Sequence, residues 1–512
     1  MKLIFRTINN ILKNDLKITI ILFVIIVLYL LHIFQIDGKS FLYNDGWYYT
    51  SIARSIIAGK GFVNPFDVET GPTAWVPPFL VYVFVPIYKI IGDNFAARFF
   101  IMFIQMIGLS VGFYFLLKAW ALTTFKKNNL LIFLIFFFLL YSYSIQIFRM
   151  INDLWLYIFI SCLLIYGLTN YIKFGKSIKV LVILAILIPL AAPIFVPGFI
   201  TIMALLFISD LGQKFNLRFL KIFPEIVKPR FLHIILIGIV FVLSVSIWTI
   251  RNYIVFDKLI PSKSNQWFEF YLSNVKDEDG ILSESTVEMY HPDRNREKFK
   301  NEIKTKNEVG WLKQYDSISH VYLKEHKLDY YKKVLNRCKN SLIFTEDDNN
   351  LWYTKIGSTM PDSDRIKLYD NVLIKDSVWV CLSSQPTEVW RKFSTLFPNR
   401  KYDLYNDWKR NRISFFHEKY SKRFIFTGLL MALFPFLSIL FLLVFVRNKE
   451  KSFIFIISIL YFVYLMPYIL ISHELRYQQP LYAWQSLLIS VTVMYLITIF
   501  HEKYMKWKLN FK

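Results

Sequence analysis

The chain has 512 residues, 55% hydrophobic and 18% aromatic, with a mean hydropathy of +0.40. Soluble domains average roughly 45–50% apolar residues and break them up with polar faces, so long all-apolar runs exclude an ordinary soluble fold. The formal net charge of +23 does not argue for a nucleic-acid partner, because the cations cluster in short segments between apolar runs, where Lys and Arg orient membrane proteins.

A basic start (Lys2, Arg6, Lys13, Lys17) leads into the apolar stretch 17–35. No small-residue cleavage site follows, so it reads as an uncleaved first span rather than a removed signal peptide. A run of about 17 or more apolar residues can cross a roughly 30 Å hydrocarbon core. On that measure further spans are expected at 95–120, 129–148, 153–172, 178–190 with 196–210, 231–250, 424–446, 453–472 and 479–500. Pro189, Pro193 and Pro197 split the 178–210 stretch into two short helices meeting near the outer surface. The expected fold class is an all-α polytopic membrane protein with about ten transmembrane helices plus interfacial helices.

Residues 77–92 decide the topology. Sixteen helical residues reach only about 24 Å, Pro86 interrupts them and Lys89 sits near one end. Kept as an interfacial helix, this piece lets Lys126 and Lys127, Lys173 to Lys179, Lys214 to Arg230, Arg447 to Lys451 and both termini share the inner side. The segments 36–94 and 251–423 are then external. The chain divides into an N-terminal transmembrane module (1–250) carrying the 36–94 loop, an external, mainly helical segment (251–423) and C-terminal transmembrane helices (424–512). Helical stretches are expected near 297–342 and 386–420. Cys162 lies within a span; Cys338 and Cys381 lie in the external segment, where they either pair or stay free.

The first external loop opens with Tyr43-Asn-Asp45-Gly-Trp-Tyr-Tyr49. An acid beside aromatic residues at a membrane surface suits a general base that takes a proton from an attacking hydroxyl; Asn-Asp-Gly is equally turn chemistry. An amphipathic helix is expected over Tyr48 to Ala58, ended at Gly59. Asp153, at the head of a span, either lines a cavity or answers the helix dipole. Arg54, Lys89, Arg251 and Arg476 lie at outer span ends, where a cation binds a phosphate or snorkels. His473 and Glu474 with Asp45 give only a dispersed donor set, so no metal and no other cofactor is expected. A glycine-rich phosphate loop, a Walker sequence and a nucleophile elbow are absent.

Several islands resemble one family in the same chain order. They are Asp45-Gly-Trp-Tyr-Tyr-Thr-Ser-Ile-Ala-Arg-Ser-Ile-Ile-Ala-Gly-Lys-Gly-Phe62 with Gly71-Pro-Thr-Ala-Trp-Val-Pro-Pro78, then Trp248-Thr-Ile-Arg-Asn252 with its continuation to Asn265, and His473-Glu-Leu-Arg-Tyr-Gln-Gln-Pro480. Tyr322-Leu-Lys-Glu-His326, with Tyr330, Tyr331 and Lys332, is a fainter island. Together they resemble the C-type (GT-C) glycosyltransferase fold, in particular bacterial relatives of the protein O-mannosyltransferases and the lipid A aminoarabinose transferase.

The resemblance implies a sugar transferred with inversion from a polyprenyl-phosphate donor to a lipid, glycan or protein acceptor at the periplasmic face of the bacterial inner membrane. It makes Asp45 the base, with Gly46 where the family often has a second acid, and Asp153 an acid of the cavity. Arg251 and Arg476, with Arg54 and Lys89, are the candidate phosphate ligands. Tyr48, Tyr49, Trp75, Asn252, Glu474 and Tyr477 are the candidate cavity residues. The rival readings are a lipid-linked oligosaccharide flippase or transporter, which usually buries charge at mid-membrane depth, and an O-antigen polymerase or ligase with the same donor and topology.

Overall fold

The computed structural model describes residues 47–122, 151–214, 231–277, 279–282, 286–287, 290–292, 296–342, 437–440, 448–472 and 480–481, with isolated positions at 24 and between 484 and 504. The described residues are mostly helical and form no strand; one antiparallel bridge joins Val63 and Pro72. Four helical stretches, Phe95–Ala119, Leu154–Phe174, Pro193–Gly212 and Phe231–Phe256, are long and apolar enough to cross a membrane. The chain is therefore an all-α membrane protein. The expected spans at 17–35, 129–148 and 424–446, and the helix at 386–420, lie wholly or largely outside the described residues, and the expected span at 479–500 is described only in part.

Two short helices come first. Helix α1, Trp47–Ile57, ends at Gly59, whose φ of 76° is free of penalty only for glycine. Helix α2, Pro78–Ile91, is started by prolines and stopped at Gly92 (φ 86°). Its 14 residues reach only about 21 Å. Leu80, Val81, Phe84, Ile87 and Tyr88 are buried on one side, whereas Tyr82 and Ile90 are exposed. The helix is thus buried on one side and open on the other.

Helices α3 (Phe95–Ala121) and α4 (Leu154–Phe174) pack closely through small residues. A methyl group added at Gly108 would lie 2.2 Å from the Trp155 ring, and one at Gly112 would lie 3.1 Å from the Phe159 backbone. Glycines four apart let two helix backbones approach, and dispersion across the seam replaces the side chains they lack. The two contacts advance together along both helices, and Lys173 Nζ reaches the Leu122 carbonyl at 3.0 Å. The pair is thus parallel: the chain leaves one end at Leu122 and re-enters at the other at Ile151.

Gly175 and Ser177, both left-handed (φ 64° and 68°), turn α4 tightly into α5, Ile178–Ala191. A 3-10 turn, Pro193–Phe195, separates α5 from α6, Val196–Lys214. The proline-split stretch is indeed two helices. Pro189 removes an amide hydrogen from the last turn of α5, and Pro193 sits at the N-terminus of the next turn, where no hydrogen bond is lost.

Helix α7, Phe231–Phe256, runs past the expected end at 250 because Tyr253 to Phe256 remain apolar; Asp257, at φ 52°, stops it. Leu232, Leu236, Ile239, Leu243, Ile247, Ile250 and Ile254 form an exposed stripe at helical spacing, with Ile254 77% exposed. Only a hydrocarbon solvent makes that stripe favourable.

The polar segment contributes α8 (Gln266–Tyr271) with a π-turn (Leu272–Lys276), α9 (Arg296–Glu325) and α10 (Lys327–Leu342). The expected single stretch at 297–342 is two helices, and α9 is itself kinked at Asn307 (φ 54°, ψ 169°). Trp311 and Phe268, both fully buried, pack on Trp75 with ring centroids 6.5 and 5.7 Å away, joining this segment to the loop between α1 and α2. Helix α11, Asn448–Leu470, packs on α6 at Gly198, where an added methyl would meet Leu460 at 3.2 Å. Cys162 and Cys338 are free thiols; Cys381 lies outside the described residues.

Candidate functional site

The N-terminal ends of α3 and α4, the α5–α6 turn and the C-terminal ends of α7 and α11 gather at one end of the bundle. Here Tyr49 Oη donates to Asp153 Oδ2 at 2.8 Å. Local chemistry frees that carboxylate for the contact. Asn152 Oδ1 accepts from the Leu154 amide at 2.9 Å and so caps α4, while Asp153 makes no side-chain cap bond. Tyr157, one turn into α4, stands near Asp153, Tyr49 and Tyr468 of α11. Phe84 of α2 packs edge-on against the Tyr49 ring at 6.5 Å. A half-buried carboxylate is acceptor-only, so the lone pairs left over can receive hydroxyls from a ligand.

The loop after α1 forms the second wall. Asn64 Oδ1 accepts the amides of Thr70 and Gly71, at 3.0 and 2.9 Å, and folds residues 63–72 into a hairpin. Arg251, in the last turns of α7, secures this loop. Its Nη1 donates to the Thr73 carbonyl at 2.7 Å and to Asn252 Oδ1 at 2.8 Å, and its Nη2 donates to the Phe62 carbonyl at 3.0 Å. The rings of Trp248 and Phe62 lie 4.9 and 5.2 Å from its Cζ. Nε–H and one Nη2 hydrogen are left for another ligand among the described residues. Asn252 donates to the Ile260 carbonyl at 2.8 Å, so both residues of the Arg-Asn pair hold backbone in place.

The other expected phosphate ligands stand elsewhere. Arg54 pairs with Asp93 at 2.6 Å and Asp67 at 3.4 Å on an exposed edge, and Lys89 is exposed at the end of α2. Trp75 is buried among Phe66, Phe268, His291 and Trp311. Tyr48 is half-buried at the rim of that aromatic cluster, 5.9 Å from Phe66. The structure thus joins Tyr49 to Asp153, and ties Arg251 and, through Asp67, Arg54 to the first loop, while Lys89 is exposed at the end of α2. Asp45, Glu474, Arg476 and Tyr477 lie outside the described residues.

Two residues that the sequence did not single out hold these pieces together. Glu308, 1% exposed, accepts from Thr73 Oγ1 (2.5 Å), the Ala74 amide (2.8 Å) and Ser264 Oγ (2.6 Å). Thr73 therefore bridges Glu308, through its hydroxyl, and Arg251, through its carbonyl. Burial raises the Glu308 carboxyl above the usual range, and the three donors and Arg251 oppose the shift. Its signal in the sequence is an acid in register with Leu312, Tyr315, Ser319 and Tyr322, on the face of α9 that turns to the core. Arg337, fully buried on α10, donates to the Ile469 and Leu470 carbonyls at 2.6 and 3.3 Å and to Asn274 Oδ1 and the Gly280 carbonyl at 3.0 and 2.9 Å. Burial lowers its guanidinium to about 10. Together with the bond from Asn274 Nδ2 to the Ile471 carbonyl at 2.8 Å, Arg337 fixes the chain immediately before His473. Nothing in the sequence marked it: its acceptors at Asn274, Gly280, Ile469 and Leu470 are remote in the chain.

Among the described residues no three His, Cys, Asp or Glu side chains converge to hold a metal. No protein-family model matches the chain, and neither a curated protein nor a solved structure resembles it significantly.

Proposed function

We propose that the chain is a membrane glycosyltransferase that moves a sugar from a polyprenyl-phosphate donor to a lipid, glycan or protein acceptor at the outer face of a bacterial inner membrane. The observation that carries this reading is the Tyr49–Asp153 hydrogen bond. It ties the helix that follows Asp45 to a second acid at the membrane-surface end of the apolar bundle. Asp45 precedes Tyr49 by four residues, at most about 14 Å of extended chain.

In this reading Asp45 takes the proton of the acceptor hydroxyl, whose oxygen attacks the anomeric carbon from the side opposite the phosphate. The bond to polyprenyl phosphate breaks and the configuration inverts. Asp153, held by Tyr49, receives sugar or acceptor hydroxyls. Arg476 and the uncommitted edge of Arg251 meet the phosphate charge. The apolar surfaces of α2 and the neighbouring spans carry the lipid tail, the 251–423 segment covers the cavity and selects the acceptor, and about ten crossings put these parts on one side.

Charge placement supports surface chemistry over transport. Among the described residues the charges of the apolar helices sit near their ends (Arg98 and Lys118; Lys173; Lys179; Asp210; Arg251) and none stands at mid-helix, where transporters bury theirs. The experiment is reconstitution in vesicles with defined polyprenyl-phosphate sugars. Release of polyprenyl phosphate coupled to a new glycosidic bond is the expected result. Movement of the donor across the bilayer with its sugar intact would instead identify a flippase.

A further inference from the structure

Helix α10 is amphipathic in the opposite sense to a helix on a soluble domain. Tyr330, Lys333, Arg337 and Ser341 share the side turned to the protein, with Lys333 7%, Arg337 0% and Ser341 2% exposed. Leu328, Tyr331 and Leu335, spaced i, i+3, i+7, share the opposite side and are 70%, 60% and 69% exposed. The exposed cations Lys327 and Lys332 flank this aliphatic stripe on its two edges. Among the described residues nothing covers it.

The inward contacts set the helix's depth. Arg337 binds the carbonyls of Ile469 and Leu470, and Tyr330 Oη donates to Leu470 at 3.2 Å. These are the last carbonyls of α11, at the level where that apolar helix reaches the membrane surface and its orphan acceptors need donors.

We propose that α10 lies in the plane of the membrane, with Leu328, Tyr331 and Leu335 in the boundary between lipid headgroups and acyl chains. Lipid fits this face better than a protein partner for three reasons on the helix itself. The helix is anchored by its polar side to the last carbonyls of an apolar membrane helix. Lysines on both edges can snorkel to anionic headgroups while their stems cover hydrocarbon. A tyrosine at the centre of the stripe is the residue type that settles at membrane interfaces. Polar side in and aliphatic side out is then the favourable arrangement. The inference is independent of the catalytic reading.

The test uses the full-length protein with Cys338→Ser and Cys381→Ser; Cys162 is 0% exposed and unreactive. Leu335→Cys is labelled with bimane and reconstituted in vesicles of phosphatidylethanolamine and phosphatidylglycerol. The expected result is quenching by lipids brominated near the top of the acyl chain, to the extent seen at Ile250→Cys on α7, with no quenching by aqueous iodide. Quenching by iodide as strong as at the exposed Lys304→Cys would overturn the proposal, because the face would be in water. Protection from both quenchers would overturn it too, showing a face covered by protein. Leu328→Cys serves as the second probe if the Leu335 variant does not elute as a single species.

Discussion

Tyr49 and Asp153 stand 104 residues apart in the chain and meet through a 2.8 Å hydrogen bond at one end of the helical bundle. The bond joins two segments that the amino-acid sequence offers as separate candidates, the loop after the first span and the head of a later one. A hydrogen bond to an ionised group contributes about 1.5–3 kcal/mol. Tyr49→Phe keeps the ring against Phe84 and removes only the donor. Sugar transfer by the purified variant is expected to fall about tenfold or more, with thermal unfolding lowered by no more than the loss of that one bond and the variant still folded in detergent. An unaltered rate would separate Asp153 from the chemistry.

Glu308 gives the fold a pH signature. Its carboxyl is raised in the folded protein above the ordinary 4.5, so the native state holds this proton more tightly than the unfolded chain does. The stability contribution from this group is complete below about 4.5 and falls as pH rises from there through the raised folded value. Glu308→Gln removes the titration while keeping a partner for the hydroxyls of Thr73 and Ser264. The difference in unfolding midpoint between Glu308→Gln and wild type should therefore shift in favour of the variant as pH rises. A difference independent of pH would show that this carboxyl does not titrate as described. Glu69, lowered by Lys60 and Lys304, and Asp329, lowered by the Tyr322 hydroxyl and then Lys333, have the opposite slope and cancel in the comparison.

The seam between α3 and α4 depends on Gly108. A single added carbon would stand 2.2 Å from Trp155, and overpacking a close-packed interface costs about 1–3 kcal/mol or more. Gly108→Leu is expected to lower the unfolding temperature clearly, while Gly238→Leu, whose added carbon meets nothing within 4 Å, leaves it unchanged. Equal effects of the two substitutions would contradict this packing.

Arg337→Leu removes one guanidinium and leaves four acceptors, the carbonyls of Ile469, Leu470 and Gly280 and the Asn274 side chain, without it. An orphaned buried acceptor costs about 1–3 kcal/mol. A large loss of thermal stability is expected. Arg337→Lys should recover only part of it, since an ammonium cannot reach acceptors arranged for a planar fork. Full recovery by lysine would show that charge alone matters.

What the sequence reveals about this protein follows the solvent each segment meets. Apolar length placed α3, α4, α6 and α7 within a few residues, and the prolines at 189, 193 and 197 marked the break between α5 and α6. The end of α7 was placed too early because Arg251 looks like a boundary, whereas Tyr253 to Phe256 continue the helix beneath it. The interior of the polar segment was the least legible. Charge normally seeks water, yet here Lys333 donates to the Asn274 carbonyl and Arg337 to the last carbonyls of a membrane helix, partners remote in the chain. Glu308 was overlooked for a related reason: a buried acid is stable only with donors from Thr73, Ala74 and Ser264, which are remote in sequence.

The central chemical claim is tested most directly by Asp45→Asn, assayed in vesicles with a polyprenyl-phosphate sugar that the wild-type protein uses. Loss of a general base predicts a rate lower by roughly 10²–10⁴, with the variant still folded and membrane-inserted. Full transfer by Asp45→Asn would contradict the account.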